Sequence, residues 1–395
     1  MVELLLLLLP LAFFSGWRSS RKSLARNQKK QRKLSDNFVK GVNYLLSEEP
    51  DKALEVLLNN PDIDEYTAET YQLLGNLFRN RGEVDRALRV HQNLISRTSL
   101  NASQKQKAMF SLGKDFFAAG MLDRAESVFQ ELLSNISIAK HVSKADVCAS
   151  LRTIYEQTQE WQKAIDATDC FRKNHKEASD SSSLASNTLI AHYYCELADE
   201  ALHQGRLNEV DEYLVKAKKS YKQSTRLMTL QGDIAFHQKN YKDALKSYLK
   251  AVKEDTRLLS MLFLKLEEAA KSSGEIELIK LELLKLYKKK KDKSIFETLL
   301  ILAKKYGGSV EIDKLIETEL SSVRLNIESI YRASNYATDT GSTIDANKGL
   351  LLVNKGLEGY LKSVPAFRCE HCGYKMHDYL WRCPACHEWD TIDHA

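Results

Sequence analysis

An all-α superhelical solenoid, closed by a small metal-bound module, is the architecture that this 395-residue sequence predicts. Three observations carry the prediction. Prolines number 5 and glycines 16, too few for the tight turns of a sandwich or barrel, so long helices with short connections are expected. The chain aligns with itself at offsets of 34 and 38 residues, the mark of an array rather than of one large core. Four of its 7 cysteines fall in two Cys-x2-Cys pairs near the C-terminus.

Residues 1–17 are read as a transmembrane anchor. Val2 to Trp17 is apolar apart from Glu3, Pro10, Ser15 and Gly16, and it contains the run Leu4–Leu9. Arg18, Arg21, Lys22, Arg26, Lys29, Lys30, Arg32 and Lys33 follow at once and make residues 18–35 a basic juxtamembrane linker. A signal peptide places its charges before the apolar stretch and ends in small residues, which is the reverse of this order. The positive-inside rule puts the body in the cytoplasm. A helix of this length spans roughly 24 Å against a hydrocarbon core of ~30 Å, and snorkelling Arg and Lys side chains make up the difference. An interfacial or re-entrant anchor is the alternative. The linker also accounts for the net charge of +5, because residues 1–35 hold eight of the 58 Lys+Arg and one of the 53 Asp+Glu. The slightly acidic remainder argues against a nucleic-acid-binding body.

Residues 36–364 are read as the repeat solenoid. Tyr71, Leu74, Gly75, Phe78, Gly82, Ala87 and Leu94 return as Met109, Leu112, Gly113, Phe116, Gly120, Ala125 and Leu132. Related sets run through Gly41, Tyr44, Ala53 and Leu57, and through Leu151, Tyr155, Ala164 and Phe171. Two more run through Tyr194, Ala198, Gly205 and Ala217, and through Gly232, Ala235, Ala244 and Ala251. Small residues recur where two helices approach most closely, and large ones fill the gaps beside them. Each helix pair leaves an apolar face that only a neighbouring pair covers, so the pairs stack. The signature fades over 256–362, where Gly274 and Tyr306-Gly-Gly308 suggest further turns.

The first helix of each pair lines the concave face of such an array. Candidate partner-binding residues there are Gln72, Asn76, Arg79 and Asn80, followed by Phe110, Lys114 and Phe117. The plainer alternative is a solvated helix face. Lys288–Lys291 reads as a solvated helix end, since no aromatics interleave with it. Cys148, Cys170 and Cys195 read as buried small apolar residues of a protein kept in a reducing compartment.

Residues 365–395 form the metal module. Cys369 and Cys372, then Cys383 and Cys386, place two thiolates on each of two tight turns, enough to complete a tetrahedron around one ion. Four sulfurs leave no open coordination position, so the site is structural. Zinc is favoured over iron, although tetrahedral sulfur accepts both. His371, His377 and His387 stand nearby as alternative ligands. No Gly-rich phosphate loop with its Lys, no His-Glu-x-x-His and no Gly-x-Ser-x-Gly occurs, so the reading is of a protein that is not an enzyme.

The recurring pattern resembles the tetratricopeptide repeat. Cys369-Glu-His-Cys372-Gly373-Tyr374 with Cys383-Pro384-Ala-Cys386 resembles rubredoxin, with His387 where rubredoxin has glycine and with a shorter intervening loop. The order of anchor, basic stretch, repeats and knuckles is similar nearly end to end to the lipopolysaccharide assembly protein B family. Arg81-Gly-Glu-Val-Asp-Arg-Ala87, Glu160-Trp161-Gln-Lys-Ala-Ile-Asp166 and Ala191-His192-Tyr-Tyr194-Cys195 carry that resemblance. It implies a single-pass protein of the cell inner membrane, with its body on the cytoplasmic side. Such a protein would be an adaptor that presents the lipid A pathway deacetylase to the membrane protease FtsH, alongside other inner-membrane lipopolysaccharide assembly proteins. Monomer and homo-oligomer both stay open. A membrane-tethered electron carrier with iron in the terminal site, and an envelope-assembly scaffold without a protease, are the alternatives.

Overall fold

The computed structural model describes residues 49–58, 65–98, 100–135, 142–175, 180–308 and 364–395, with isolated positions before and between them. The expected anchor and basic linker lie outside the described residues. Among those residues no helix is long and apolar enough to cross a membrane.

The chain divides into two compact units, 1–178 and 179–395. The first holds α1 (Pro50–Leu58), α2 (Glu65–Asn80), α3 (Val84–Ser96), α4 (Ala102–Ala118), α5 (Leu122–Asn135), α6 (Lys144–Gln157) and α7 (Trp161–Asn174). The second holds α8 (Asp180–His203), α9 (Leu207–Ser220), α10 (Thr225–His237), α11 (Tyr241–Glu254), α12 (Leu259–Ser273), α13 (Ile276–Lys290) and α14 (Lys293–Tyr306). It ends in a sheet of β1 (Phe367–Cys369), β2 (Lys375–Met376) and β3 (Ile392–His394). Both partners of β1 run antiparallel to it, in the order β2-β1-β3. The metal module is therefore part of the second unit.

One turn, seen six times with its left-handed residue among the described residues, sets the repeat. Each two-helix unit closes on a residue with left-handed backbone: Gly82, Gly120, Gln159, Gly205, Lys239 and Gly274. The amide of the following residue reaches back to a carbonyl five positions earlier, as in Glu83 N to Phe78 O at 2.9 Å and Met121 N to Phe116 O at 2.9 Å. Glu160 to Tyr155, Arg206 to Ala201, Asn240 to Ala235 and Glu275 to Ala270 repeat it at 2.8–2.9 Å. This Schellman closure satisfies carbonyls that the helix end would otherwise leave unpaired. Glycine reaches the left-handed region without strain, whereas Gln159 and Lys239 hold it with full side chains. Side chains begin the helices as well: Asn101 with Gln104, and Ser143 with Asp146, form capping boxes.

Five residues after each turn stands the close-approach position: Ala87, Ala125, Ala164, Val210, Ala244 and Ile279, each buried. A second contact is matched for size. Gly75 faces His91, Gly113 faces Phe129 and Gly232 faces Tyr248, so that a Cβ on these glycines would lie 2.4–2.6 Å from the ring opposite. In the α6–α7 pair the bulk is exchanged: Arg152 stands at the glycine position and the buried Thr168 at the ring position. At the three glycine crossings a missing side chain on one helix thus makes room for a ring on the other.

Cys148 on α6 and Cys170 on α7 are joined by a disulfide, their Cα atoms 5.9 Å apart. This corrects the expectation that both are merely small apolar core residues: cysteines 22 positions apart in sequence show no pairing until the hairpin brings them together. Cys195 is a buried free thiol, pushed up to about 12 by that burial. Lys288, Lys289 and Lys290 are exposed at the end of α13, as the charge run suggested. Gly274 and Gly307 end α12 and α14.

Candidate metal centre and repeat face

The terminal module is built from two copies of one small loop. Gly373 N donates to Cys369 O at 2.8 Å, and His387 N donates to Cys383 O at 3.0 Å. Cys369 N donates to Tyr374 O at 2.8 Å, and Cys383 N donates to Glu388 O at 2.9 Å. The same backbone path thus carries each cysteine pair, and each loop turns on a left-handed residue, Gly373 in one and His387 in the other. The departure from rubredoxin at His387 leaves the loop intact, and that residue takes up the backbone role of the glycine.

These loops bring the four sulfurs within 4.8 Å of one another. Cys369 Sγ lies 3.6 Å from Cys386 Sγ, and Cys372 Sγ lies 3.7 Å from Cys383 Sγ. Sulfurs about 2.3 Å from a tetrahedral zinc stand about 3.8 Å apart, so the set fits one ion. The Cys369 thiol is drawn down to about 6: burial opposes its charge, but the Thr391 hydroxyl and the amides of Cys372 and His371 outweigh burial. Cys386 is pushed up to about 12 by burial and by the neighbouring sulfurs. One thiolate therefore forms readily, while Cys386 holds a proton that an arriving cation would displace. Cys369 and Cys383 are buried and Cys372 is exposed. Among the described residues no other group of three or more His, Cys, Asp or Glu side chains has ligand spacing.

The module is fused to the helices rather than tethered to them. Phe367, Met376, Tyr379 and Ile392 share one apolar core with Leu258, Leu259, Leu262 and Leu283. On α8, His192 Nε2 lies 2.7 Å from Asp390 Oδ2, and its ring stacks on Trp389 at 4.8 Å. Tyr193 meets Trp389 edge-on at 6.1 Å, and the Arg226 guanidinium stands 5.5 Å over the Trp381 ring. Arg226 is itself held by Glu196 and Asp199, each at 3.2 Å. Arg257 Nη1 donates to Ile392 O at 3.4 Å.

In the first unit the candidate partner residues separate into two groups. Gln72 is buried, its amide bonded to Ser111 Oγ and lying 3.2 Å from His91 Nε2. Arg79 donates to Asp115 at 2.8 Å and to Asn76 Oδ1 at 2.8 Å. His91 Nδ1 lies 2.5 Å from Asp115 Oδ2, and both side chains are fully buried. Gln72 is thus corrected from a surface contact to a strut joining α2, α3 and α4, and Arg79 does similar work beside it. Asn80 and Lys114 are exposed, while Asn76, Phe110 and Phe117 are half-buried. Lys114 Nζ sits 4.4 Å over the Phe110 ring. Burial lowers its pKa, and the Arg79 charge lowers it further.

Fold and site together define a tetratricopeptide-repeat protein with a four-cysteine ribbon packed on its repeats. The family model described as rubredoxin metal binding domain matches residues 367–394, and the tetratricopeptide repeat model matches 70–105. Lipopolysaccharide assembly protein B of Escherichia coli (strain K12) is 31% identical over 393 residues, covering 99% of this chain and 98% of that protein. Its Haemophilus influenzae counterpart is 28% identical over 401 residues, with the same coverage. The chain belongs to the lipopolysaccharide assembly protein B family. A solved tetratricopeptide repeat protein from Parabacteroides merdae covers 73% of the chain at 13% identity, with a TM-score of 0.34.

Proposed function

We propose that this protein is an inner-membrane adaptor that regulates lipopolysaccharide synthesis without catalysis of its own. In this reading its N-terminal anchor holds the repeats at the cytoplasmic face, and they present the lipid A pathway deacetylase to the membrane protease FtsH for degradation. The observation that carries the proposal is kinship over 99% of the chain with proteins named for lipopolysaccharide assembly. Stacked helix pairs suit protein binding, and four sulfurs around one ion leave no coordination position for a substrate. Asn76, Asn80, Phe110, Lys114 and Phe117 are the side chains we assign to partner contact; Gln72 and Arg79 support them from behind.

The test is affinity capture of the full chain from membranes, paired with deacetylase turnover in cells that carry or lack it. Recovery of both partners, with slower deacetylase turnover in the deletion, is the expected result. Recovery of envelope enzymes with unchanged turnover would replace the adaptor with a general scaffold. The exposure of Cys372 favours a second reading, an iron site exchanging electrons at its edge. Metal analysis with an absorption spectrum separates the two, since zinc gives a colourless protein and iron a reversible visible band.

A further inference from the structure

The six left-handed turn residues give these helix pairs a common register, and within it the α6–α7 pair departs from the others at two further positions. Eleven residues before the turn stand Tyr71, Met109, Tyr194, Met228 and Phe263, but in this pair Cys148. Eleven residues after the turn stand Asn93, Glu131, Lys216, Lys250 and Lys285, but here Cys170. The fold therefore asks for a large apolar side chain at the first position and a polar one at the second. Neither demand explains a cysteine, still less two of them facing each other with Cα atoms 5.9 Å apart, inside the range a disulfide requires.

The two sulfurs are not equivalent. Cys148 is fully buried, whereas Cys170 occupies the outward register and is half-buried. Asn174 Nδ2 lies 3.8 Å from Cys170 Sγ. The Arg152 guanidinium, one turn along α6 from Cys148, stands 5.7 Å over the ring of Phe171, the residue after Cys170. An amide donor beside the more accessible sulfur favours its thiolate.

We propose that Cys148 and Cys170 form a reversible thiol–disulfide modification site, closed by hydroperoxides and reopened by small dithiols, that staples α6 to α7. Cys170 Sγ attacks the terminal oxygen of the hydroperoxide; the S–O bond forms, the O–O bond breaks and an alcohol, or water from hydrogen peroxide, leaves. Cys148 Sγ then attacks Cys170 Sγ; the S–S bond forms, the S–O bond breaks and water leaves with the displaced oxygen. Two thiols lose two electrons and two protons, and one hydroperoxide is reduced. The inference is independent of which partner the repeats hold.

The test uses the purified full chain with its metal bound. Fully reduced protein is exposed to hydrogen peroxide, then alkylated under denaturing conditions and mapped by mass spectrometry, while a chromophoric chelator reports metal release separately. The expected result is loss of alkylation at Cys148 and Cys170 together, before metal is released, with full recovery after dithiothreitol under native conditions. In Cys148→Ser, a 1,3-diketone probe should label Cys170 as a sulfenic acid. The double variant Cys148→Met/Cys170→Lys carries the pair found at Met228 and Lys250, so it should fold and lose the response. Alkylation at both cysteines that persists through peroxide would overturn the proposal. So would a disulfide that native dithiothreitol cannot open, because the pair would then be a permanent brace.

Discussion

At the scale of single residues, fit at the helix crossings is decided by a few ångströms. Gly113 lies beneath Phe129, where an added Cβ would come within 2.6 Å of the ring, while Gly120 has open space but a φ of +72°. Gly113→Ala should therefore cost about 1–3 kcal/mol by overpacking. Gly120→Ala should cost about 1–2 kcal/mol through backbone strain alone. Chemical denaturation of the two variants checks both, and a Gly113→Ala protein as stable as the parent would mean that Phe129 moves freely aside. The cluster of four cysteines was legible in the sequence because a metal site demands one residue type at a short, fixed spacing. The burial of Gln72 was not. A glutamine on a helix reads the same whether it meets water or a serine 39 positions further on.

At the scale of the element, the two-helix turn was legible wherever its left-handed residue is glycine, as at Gly82, Gly120, Gly205 and Gly274. It was hidden at Gln159 and Lys239, which adopt φ of 59° and 60° while their composition says nothing of it. Those positions carry strain that the flanking helices impose. Replacing either with glycine should stabilise its unit by up to about 1 kcal/mol, seen as a raised denaturation midpoint; a lower midpoint would mean that the long side chain packs usefully. The start of α14 is tuned electrostatically. Burial works against the Asp292 charge, but bonds from Thr256 and from the side chain and amide of Ser294 outweigh it and hold its pKa below 3.8. A carboxyl with a lowered folded pKa stabilises the fold above its unfolded pKa, and loses that contribution as pH falls through the folded one. Glu267, held by Lys305 and Tyr306 against burial, and Glu282, held by Lys253 and Lys285, are shifted the same way from 4.5. Thermal melts of the second unit should therefore fall increasingly below about pH 4.5, and Asp292→Asn should remove part of that fall.

At the scale of the whole molecule, the sequence foretold a helical array followed by a metal module but not their union. His192 and Asp390 are 198 positions apart, and nothing local to either residue announces the other. Because the module shares its core with Leu258, Leu259 and Leu262, removing the metal should act well beyond residues 367–394. Treatment with a strong chelator is expected to raise amide exchange in α8, α10 and α12 while leaving α2–α5 protected. Exchange confined to the ribbon would show that the helices hold without it. The same union sets an order of events during synthesis. The helices α8–α14 are all translated before Trp381, Trp389 and Ile392, so the apolar seam that these residues cover stays open until translation has passed residue 392. Chains stalled earlier would carry that seam bare, so the ribbon is the last piece of this core to arrive.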